Sequence, residues 1–207
     1  VRMNIETKVE AGAPSETAPR EEFVSAVHRE IAASGLEHQI TIQSFDWGAL
    51  MAMHELAPGL PLVALTNHDF LGIGAETPSP WLGGVDIADI AADYIEGLLD
   101  IADFDGDGVA AAASIDGVVA YSPVATHPDQ GCTVGVNTCR PYVTRDMVDR
   151  AHAHGLEIIP WTVNNVPTME YLMDVGVDGI ITDYPNLLRD LMAERGLSLP
   201  RQYTAEG

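Results

Sequence analysis

Glu6 and Lys8 stand two residues apart in the segment Arg2–Lys8, which reads as a strand, so both side chains project to one side of it. A carboxylate beside an ammonium at a strand end has two readings. It is a structural ion pair, or it is an oxygen ligand for a hard cation next to a charge that holds a phosphate. Other short apolar runs end in chemistry-bearing residues: Gln43-Ser44-Phe45-Asp46, Thr66-Asn67-His68-Asp69, Ser122-Pro123, Pro160-Trp161-Thr162-Val163-Asn164 and Thr182-Asp183-Tyr184-Pro185. In a parallel barrel these ends share the C-terminal face, where active-site groups are carried. His68 follows the third run and is within reach of such a site, where it would touch substrate. His28, His54, His152 and His154 fall on outer helices, His38 precedes a strand at the opposite rim, and His127 lies in a loop without a clear partner.

The elements that must position these groups alternate. Strands are predicted at Arg2–Lys8, Gln39–Gln43, Leu60–Leu65, Gly117–Tyr121, Leu156–Trp161 and Gly179–Thr182. Helices are predicted at 20–34, from the Asp46 cap through Leu56, at 145–154, at 166–175 and from Pro185 onward, with Gly35, Gly155 and Gly176 as stops. Six strand–helix units of this kind form a parallel sheet covered on both faces. An open doubly wound sheet and a closed barrel both fit. No Gly-x-Gly-x-x-Gly turn follows a strand, which weakens the dinucleotide-binding version. A (β/α)₈ barrel needs eight units, so about six of the eight are expected here, in one domain over 1–207. The gap between the third and fourth strands is longer than the others, and 67–114 is read as an insertion at the barrel mouth. It contains Trp81, an amphipathic stretch at 86–101 expected to be a lid, and Asp103-Phe-Asp105-Gly-Asp107-Gly. That acidic run resembles half a calcium loop, but the twelfth position is Ser114, so a solvated acidic turn is the preferred reading.

Bulk composition narrows the function classes. Of 207 residues, 46% are hydrophobic, enough for one sizeable core, and no run is long enough to span a membrane. Thirty-one acidic residues oppose ten basic ones, for a net charge of -21, a field that repels nucleic acid and anionic lipid. The chain begins at Val1, inside an apparent strand and without a charged-then-apolar leader, so processing or truncation is expected and no signal peptide is read. Cys132 and Cys139 lack the histidine spacing of a zinc site. A local disulfide is expected, which slightly favours an extracytoplasmic location. Oligomeric state is not readable.

The ordered motifs resemble one family. Asn4-Ile5-Glu6-Thr7-Lys8 is similar to the Ile-Glu-x-Lys strand of the glycerophosphodiester phosphodiesterases, and Gln43-Ser44-Phe45-Asp46 to their next strand end. The stretch from Ala151-His152-Ala153-His154-Gly155-Leu156 through Pro160-Trp161-Thr162-Val163-Asn164 to Gly176-Val177-Asp178-Gly179-Ile180-Ile181-Thr182-Asp183-Tyr184-Pro185 resembles their closing two units. The resemblance implies a TIM-type (β/α)₈ barrel that hydrolyses small glycerophosphodiesters to sn-glycerol 3-phosphate and an alcohol. It implies a divalent cation, Ca²⁺ or Mg²⁺, with Glu6 as one of three carboxylate ligands. Lys8 would reach the phosphate and Trp161 would pack on the glycerol, with Gln43 and His68 near the substrate. A metal bridging phosphate oxygens would offset charge in the transition state. The family's His-Arg-Gly and Glu-x-Asp segments, which carry both acid–base histidines, do not occur, so no catalytic residue is expected in this chain and it is expected to be inactive on its own. Two other readings stay open: another phosphodiesterase or phospholipase on the same barrel, and a non-catalytic binding protein on a degenerate barrel.

Overall fold

Five parallel strands hydrogen-bond side by side in the order of the chain. The computed structural model describes residues 2–83, 99–127 and 131–201. In order, the elements are β1 (Met3–Glu6), α1 (Arg20–Ser34), β2 (Ile40–Ser44), α2 (Trp47–Leu56), β3 (Leu62–Thr66), α3 (Gly108–Ala113), β4 (Val118–Pro123), β5 (Thr126–His127), β6 (Arg140–Pro141), α4 (Arg145–Ala153), β7 (Glu157–Ile158), α5 (Val166–Val175) and α6 (Pro185–Glu194). The sheet order is β1-β2-β3-β4-β7, and β5 and β6 form a separate two-residue antiparallel pair. Glu6 lies opposite Gln43, Gln43 opposite Val63, and Val63 opposite Ala120. The strand ends are therefore level, and the residues just past them form one rim. No helix among the described residues is long and apolar enough to cross a membrane.

Alternation divides the sheet into two faces. Ile42, Leu62, Ala64, Tyr121 and Ile158 pack beneath the helices in the main core, together with Val24, Leu50, Met53, Met169 and Leu172. A smaller cluster on the other side joins Leu65, Val124 and Trp161, with Phe45, Tyr142 and Ile181 against it. Helix starts follow the side chains that the sequence offers. Asp46 accepts from the Gly48 amide at 3.0 Å, Thr144 from Met147 at 3.2 Å and Asn165 from Thr168 at 3.0 Å, each satisfying an otherwise orphaned helix donor. Gly35 and Gly176 end α1 and α5 in the left-handed region, at φ 66° and 88°.

One expectation needs correction. Gly179–Thr182 is not a regular strand. Its backbone still reaches β7 and its extension, through Ile181 N–H to Pro160 O at 3.0 Å and Val163 N–H to Ile181 O at 2.9 Å. A continuous ladder fails because Pro160 has no N–H and the Ile158 amide donates instead to the Asp178 carboxylate, at 2.8 Å. The last part of 67–114 holds a helix that the sequence reading did not mark. Helix α3 buries Val109, Ala111 and Ala112 between β3 and β4. Its small residues make no stripe of large apolar side chains, so periodicity missed it. The acidic run before it is structural: Asp107 caps α3 at Val109 N–H, 3.0 Å, and pairs with Arg150 Nε at 3.0 Å. Most of the stretch at 86–101 lies outside the described residues.

Two links tie the elements beneath the rim. Asp46 is wholly buried and pairs with Arg20 in bidentate fashion, Nε–Oδ2 2.6 Å and Nη2–Oδ1 3.0 Å, so the first turn of α1 is joined to the cap of α2. Burial pushes the Asp46 carboxyl above its ordinary range, against the pull of Arg20 and the amides of Gly48 and Ala49. Gly48 leaves room for this pair, since a Cβ there would meet Arg20 Cζ at 2.6 Å. The other link is the expected disulfide between Cys132 and Cys139. Its loop is held on α5, where Thr168 Oγ1 donates to Cys132 O at 3.4 Å and accepts from Val134 N–H at 3.1 Å.

Arg20→Ala should cost about 3 to 5 kcal/mol at neutral pH in urea melts, because it leaves a buried charge uncompensated. A raised folded-state pKa favours folding below the unfolded value near 3.8, and that contribution is lost as pH rises through the folded value. The deficit of the variant should therefore shrink on acidification. Replacing Cys132 and Cys139 together by serine should lower stability by about 2 kcal/mol, read the same way.

Candidate functional site

A cavity of about 500 Å³ opens at the C-terminal ends of β1, β2 and β3. Glu6, Lys8 and Trp161 all line it, although they come from opposite ends of the chain. Lys8 Nζ lies 2.6 Å from Glu6 Oε1, as same-side placement on a strand requires. The Lys8 side chain is 76% exposed, so it can leave Glu6 for an anion at little cost. Trp161 is fixed: its Nε1–H donates to Ser122 O at 2.8 Å and its amide to Pro123 O at 3.1 Å. Its ring meets Phe45 edge-on at 5.3 Å.

An aromatic wall continues from there. Phe45 also meets Phe70 edge-on at 5.4 Å, and Phe70 lies flat against Trp81, 4.3 Å between centroids and 5° between planes. Ser79, itself buried, holds both stacked residues: its hydroxyl donates to Phe70 O and accepts from Trp81 N–H. Asn67, Glu10, Glu16, Thr7 and Thr17 complete the polar lining. Sequence reasoning named Asn67 only within its strand-end run and did not single out Phe70, Glu10 or Glu16, because loop residues without periodicity carry no local sign of convergence. Trp81 was noted only as part of the long gap, and Phe45 only within its motif.

The remaining candidates lie elsewhere. Gln43 is directly opposite Glu6 but faces β1, its Oε1 accepting from Asn4 Nδ2 at 2.5 Å, with Thr41 donating to Asn4 Oδ1 at 2.8 Å. His68 is off the cavity lining; its Nε2 is 3.3 Å from Asp69 and its ring packs edge-on against His127 at 4.5 Å. His127 thus has a partner after all, because β5 pairs with β6 and carries it there. His152 sits on the outer layer, 2.9 Å from Asp178.

The highly specific closing motif turns out to be a clamp. Asn164 Nδ2 donates to Asp183 Oδ2 at 2.8 Å, and Asn164 Oδ1 accepts from Asp183 N–H at 3.0 Å and from the Thr182 hydroxyl at 3.2 Å. This fastens the loop after Trp161 to the segment before α6. Asp183 is engaged in that role.

Glu6 is the one carboxylate here at the position expected of a cation ligand, and Lys8 already neutralises it. Among the described residues no three His, Cys, Asp or Glu side chains converge to hold a metal. Ca²⁺ takes six to eight oxygens and Mg²⁺ six, so Glu6 does not make such a site by itself. No histidine among the described residues lines the cavity. The arrangement can bind an anion at Lys8 beside an aromatic wall.

The model of the glycerophosphoryl diester phosphodiesterase family matches residues 1–187. A glycerophosphodiester phosphodiesterase of Bacillus subtilis (strain 168) is 25% identical over 160 residues, which is 77% of this chain and 39% of that protein. A solved structure from Silicibacter pomeroyi DSS-3, described as a candidate glycerophosphoryl diester phosphodiesterase, superposes with TM-score 0.65 at 24% identity, over 96% of this chain and 52% of its own. A phosphodiesterase of Oleispira antarctica, in complex with the product sn-glycerol-3-phosphate, superposes with TM-score 0.51 at 15% identity, over 93% of this chain and 55% of its own. The chain spans about half the length of these solved structures. At such identities the likeness establishes the fold, a TIM-barrel type of which five parallel strands and their helices are formed among the described residues. With residues 1–187 matched and the strand ends in the family's order, the chain belongs to the glycerophosphoryl diester phosphodiesterase family.

Proposed function

We propose that this chain forms the substrate-facing part of a phosphodiesterase that hydrolyses glycerophosphodiesters to sn-glycerol 3-phosphate and an alcohol. The observation that carries the reading is the convergence of Glu6, Lys8 and Trp161 on one cavity within a chain of this family. Lys8 takes the phosphate: it is the one cation among the described lining residues, and an ammonium donates strong charge-assisted bonds to phosphate oxygens. Trp161 offers a rigid ring for the glycerol carbons, held by its bond to Ser122 O. The product carried by the Oleispira antarctica structure supports the same substrate class.

Glu6 would supply one oxygen ligand to a divalent cation, Ca²⁺ or Mg²⁺, completed by carboxylates that the described residues do not provide. The cavity lining contains no histidine among those residues, so the 207-residue chain is expected to bind product without turning substrate over. The Cys132–Cys139 disulfide supports an oxidising, extracytoplasmic location.

Titration of the chain with sn-glycerol 3-phosphate by calorimetry tests this reading. Saturable binding is expected, weakened about tenfold or more by Lys8→Ala, the scale of a lost charge-assisted bond. Added Ca²⁺ or Mg²⁺, and EDTA, should each leave that affinity unchanged, because no three acidic or histidine side chains among the described residues converge to hold a cation beside Glu6. No binding to the chain would favour the non-catalytic alternative. Release of glycerol 3-phosphate from a diester by the chain alone would overturn the assignment of proton transfer to groups outside it.

A further inference from the structure

We infer that a second cavity, between α3 and α4, is a binding site for a neutral polyol of monosaccharide size. Its volume is about 330 Å³, at the small end of ligand pockets, and it shares no lining residue with the cavity over β1, β2 and β3. Tyr121 of β4, Gly108 of α3 and Arg150 of α4 meet in its lining, together with Tyr142 and Asp107. The inference does not depend on the phosphodiesterase reading.

The cavity exists because residue 108 has no side chain. A Cβ at Gly108 would meet Tyr121 Oη at 2.7 Å and Leu71 Cδ1 at 2.9 Å, closer than packing allows. Around that space three polar groups keep bonding capacity. Arg150 Nε is buried, and although Asp107 Oδ2 lies 3.0 Å away, it makes no hydrogen bond among the described residues. Its guanidinium is held from the other side by Asp146. The hydroxyls of the buried Tyr121 and of Tyr142 bond to each other. That bond uses one of two hydroxyl protons and leaves the other. Asp107 gives Oδ1 to the Val109 amide at 3.0 Å and keeps Oδ2 for a donor. A buried N–H without an acceptor is costly and calls for a partner, so an oxygen placed at Arg150 Nε is favoured.

These groups select the ligand by charge and by bonding type. Arg150 already stands between Asp107 and Asp146, and Asp105 adds a further carboxylate to the lining. An anion would therefore meet repulsion that one guanidinium does not offset. An ammonium carries only donors and would leave both Arg150 Nε–H and the tyrosine proton unanswered. A carbonyl oxygen would answer those two and give Asp107 nothing. A hydroxyl both donates and accepts, so neighbouring hydroxyls on one carbon frame satisfy all three groups. The rest of the lining includes Leu71, Ile73, Val109 and Met147, apolar surface that suits the C–H side of a sugar ring.

Titration of the 207-residue chain with D-glucose, followed by NMR of the sugar, tests the inference. Saturable binding is expected, and an excess of sn-glycerol 3-phosphate should leave it unchanged, because the two cavities have no residue in common. Cyclohexanol, acetate and methylammonium should each bind at least tenfold more weakly. Arg150→Lys keeps the charge between Asp107 and Asp146 but loses the Nε–H, and Tyr142→Phe keeps the ring but loses the hydroxyl. Each should weaken glucose binding about tenfold, the scale of a lost hydrogen bond to a buried group. Thermal melts report whether each variant folds, and either one alone suffices for the comparison. Absence of saturable glucose binding would overturn the site. Glucose displaced by sn-glycerol 3-phosphate, or bound as tightly by both variants, would place it elsewhere and overturn the assignment to this cavity. Acetate or methylammonium binding as tightly as glucose would overturn the neutral polyol as its ligand.

Discussion

Asp46 is a wholly buried carboxylate one residue past Phe45, and the geometry of the rim on the β2 side follows from how it is held. Its cost of burial is offset by Arg20 on one side and by the amides of Gly48 and Ala49 on the other. Those partners leave it a single position. Strand β2 must therefore end at Ser44 and α2 must begin at Trp47, with Phe45 turned towards the cavity between them. Trp47 reinforces the arrangement by donating its Nε1–H to Leu65 O at 2.8 Å, which joins α2 to the end of β3. The ion pair does no chemistry. It sets where the central ring of the aromatic wall stands.

The same logic recurs around the rim: groups that look reactive in sequence are spent on holding others. Asn164 and Asp183 clamp the two closing loops together. Asp178 takes the Ile158 amide and thereby ends β7 early. Asp107 caps α3 and pairs with Arg150. What is left free to meet a ligand in the cavity over β1, β2 and β3 is a short set: the Glu6–Lys8 pair, the aromatic wall, and the carboxylates of Glu10 and Glu16. An acidic chain of net charge -21 thus commits several of its carboxylates to caps, clamps and buried pairs.

Local chemistry made a good part of the molecule readable. The end of α1, the start of α2 and both ends of α5 follow from stops and caps within their own sequences, namely the left-handed Gly35, the Asp46 side chain, and Asn165 with the left-handed Gly176. The period-two placement of Glu6 and Lys8 on one side of β1 follows from strand geometry alone, and the resulting 2.6 Å pair is as expected. The disulfide was legible because the six residues between Cys132 and Cys139, rich in Gly, Thr and Asn, bring them within reach. Helix α3 was not, because alanines bury without leaving a stripe.

Sequence by itself determined the family and the alternation of strands and helices, since each of these is written in residue type and short-range spacing. The tertiary structure decided which of the candidates meet. Trp161 lies far along the chain from Lys8, yet parallel strands of level register bring both to one rim, while Gln43 and His68, equally well placed in sequence, turn to Asn4 and to His127. It also decided that Phe70 and Trp81 become one wall, through the hydroxyl of Ser79. Convergence of this kind depends on loop paths across the fold, and such paths are set by long-range packing that no local pattern of residues encodes.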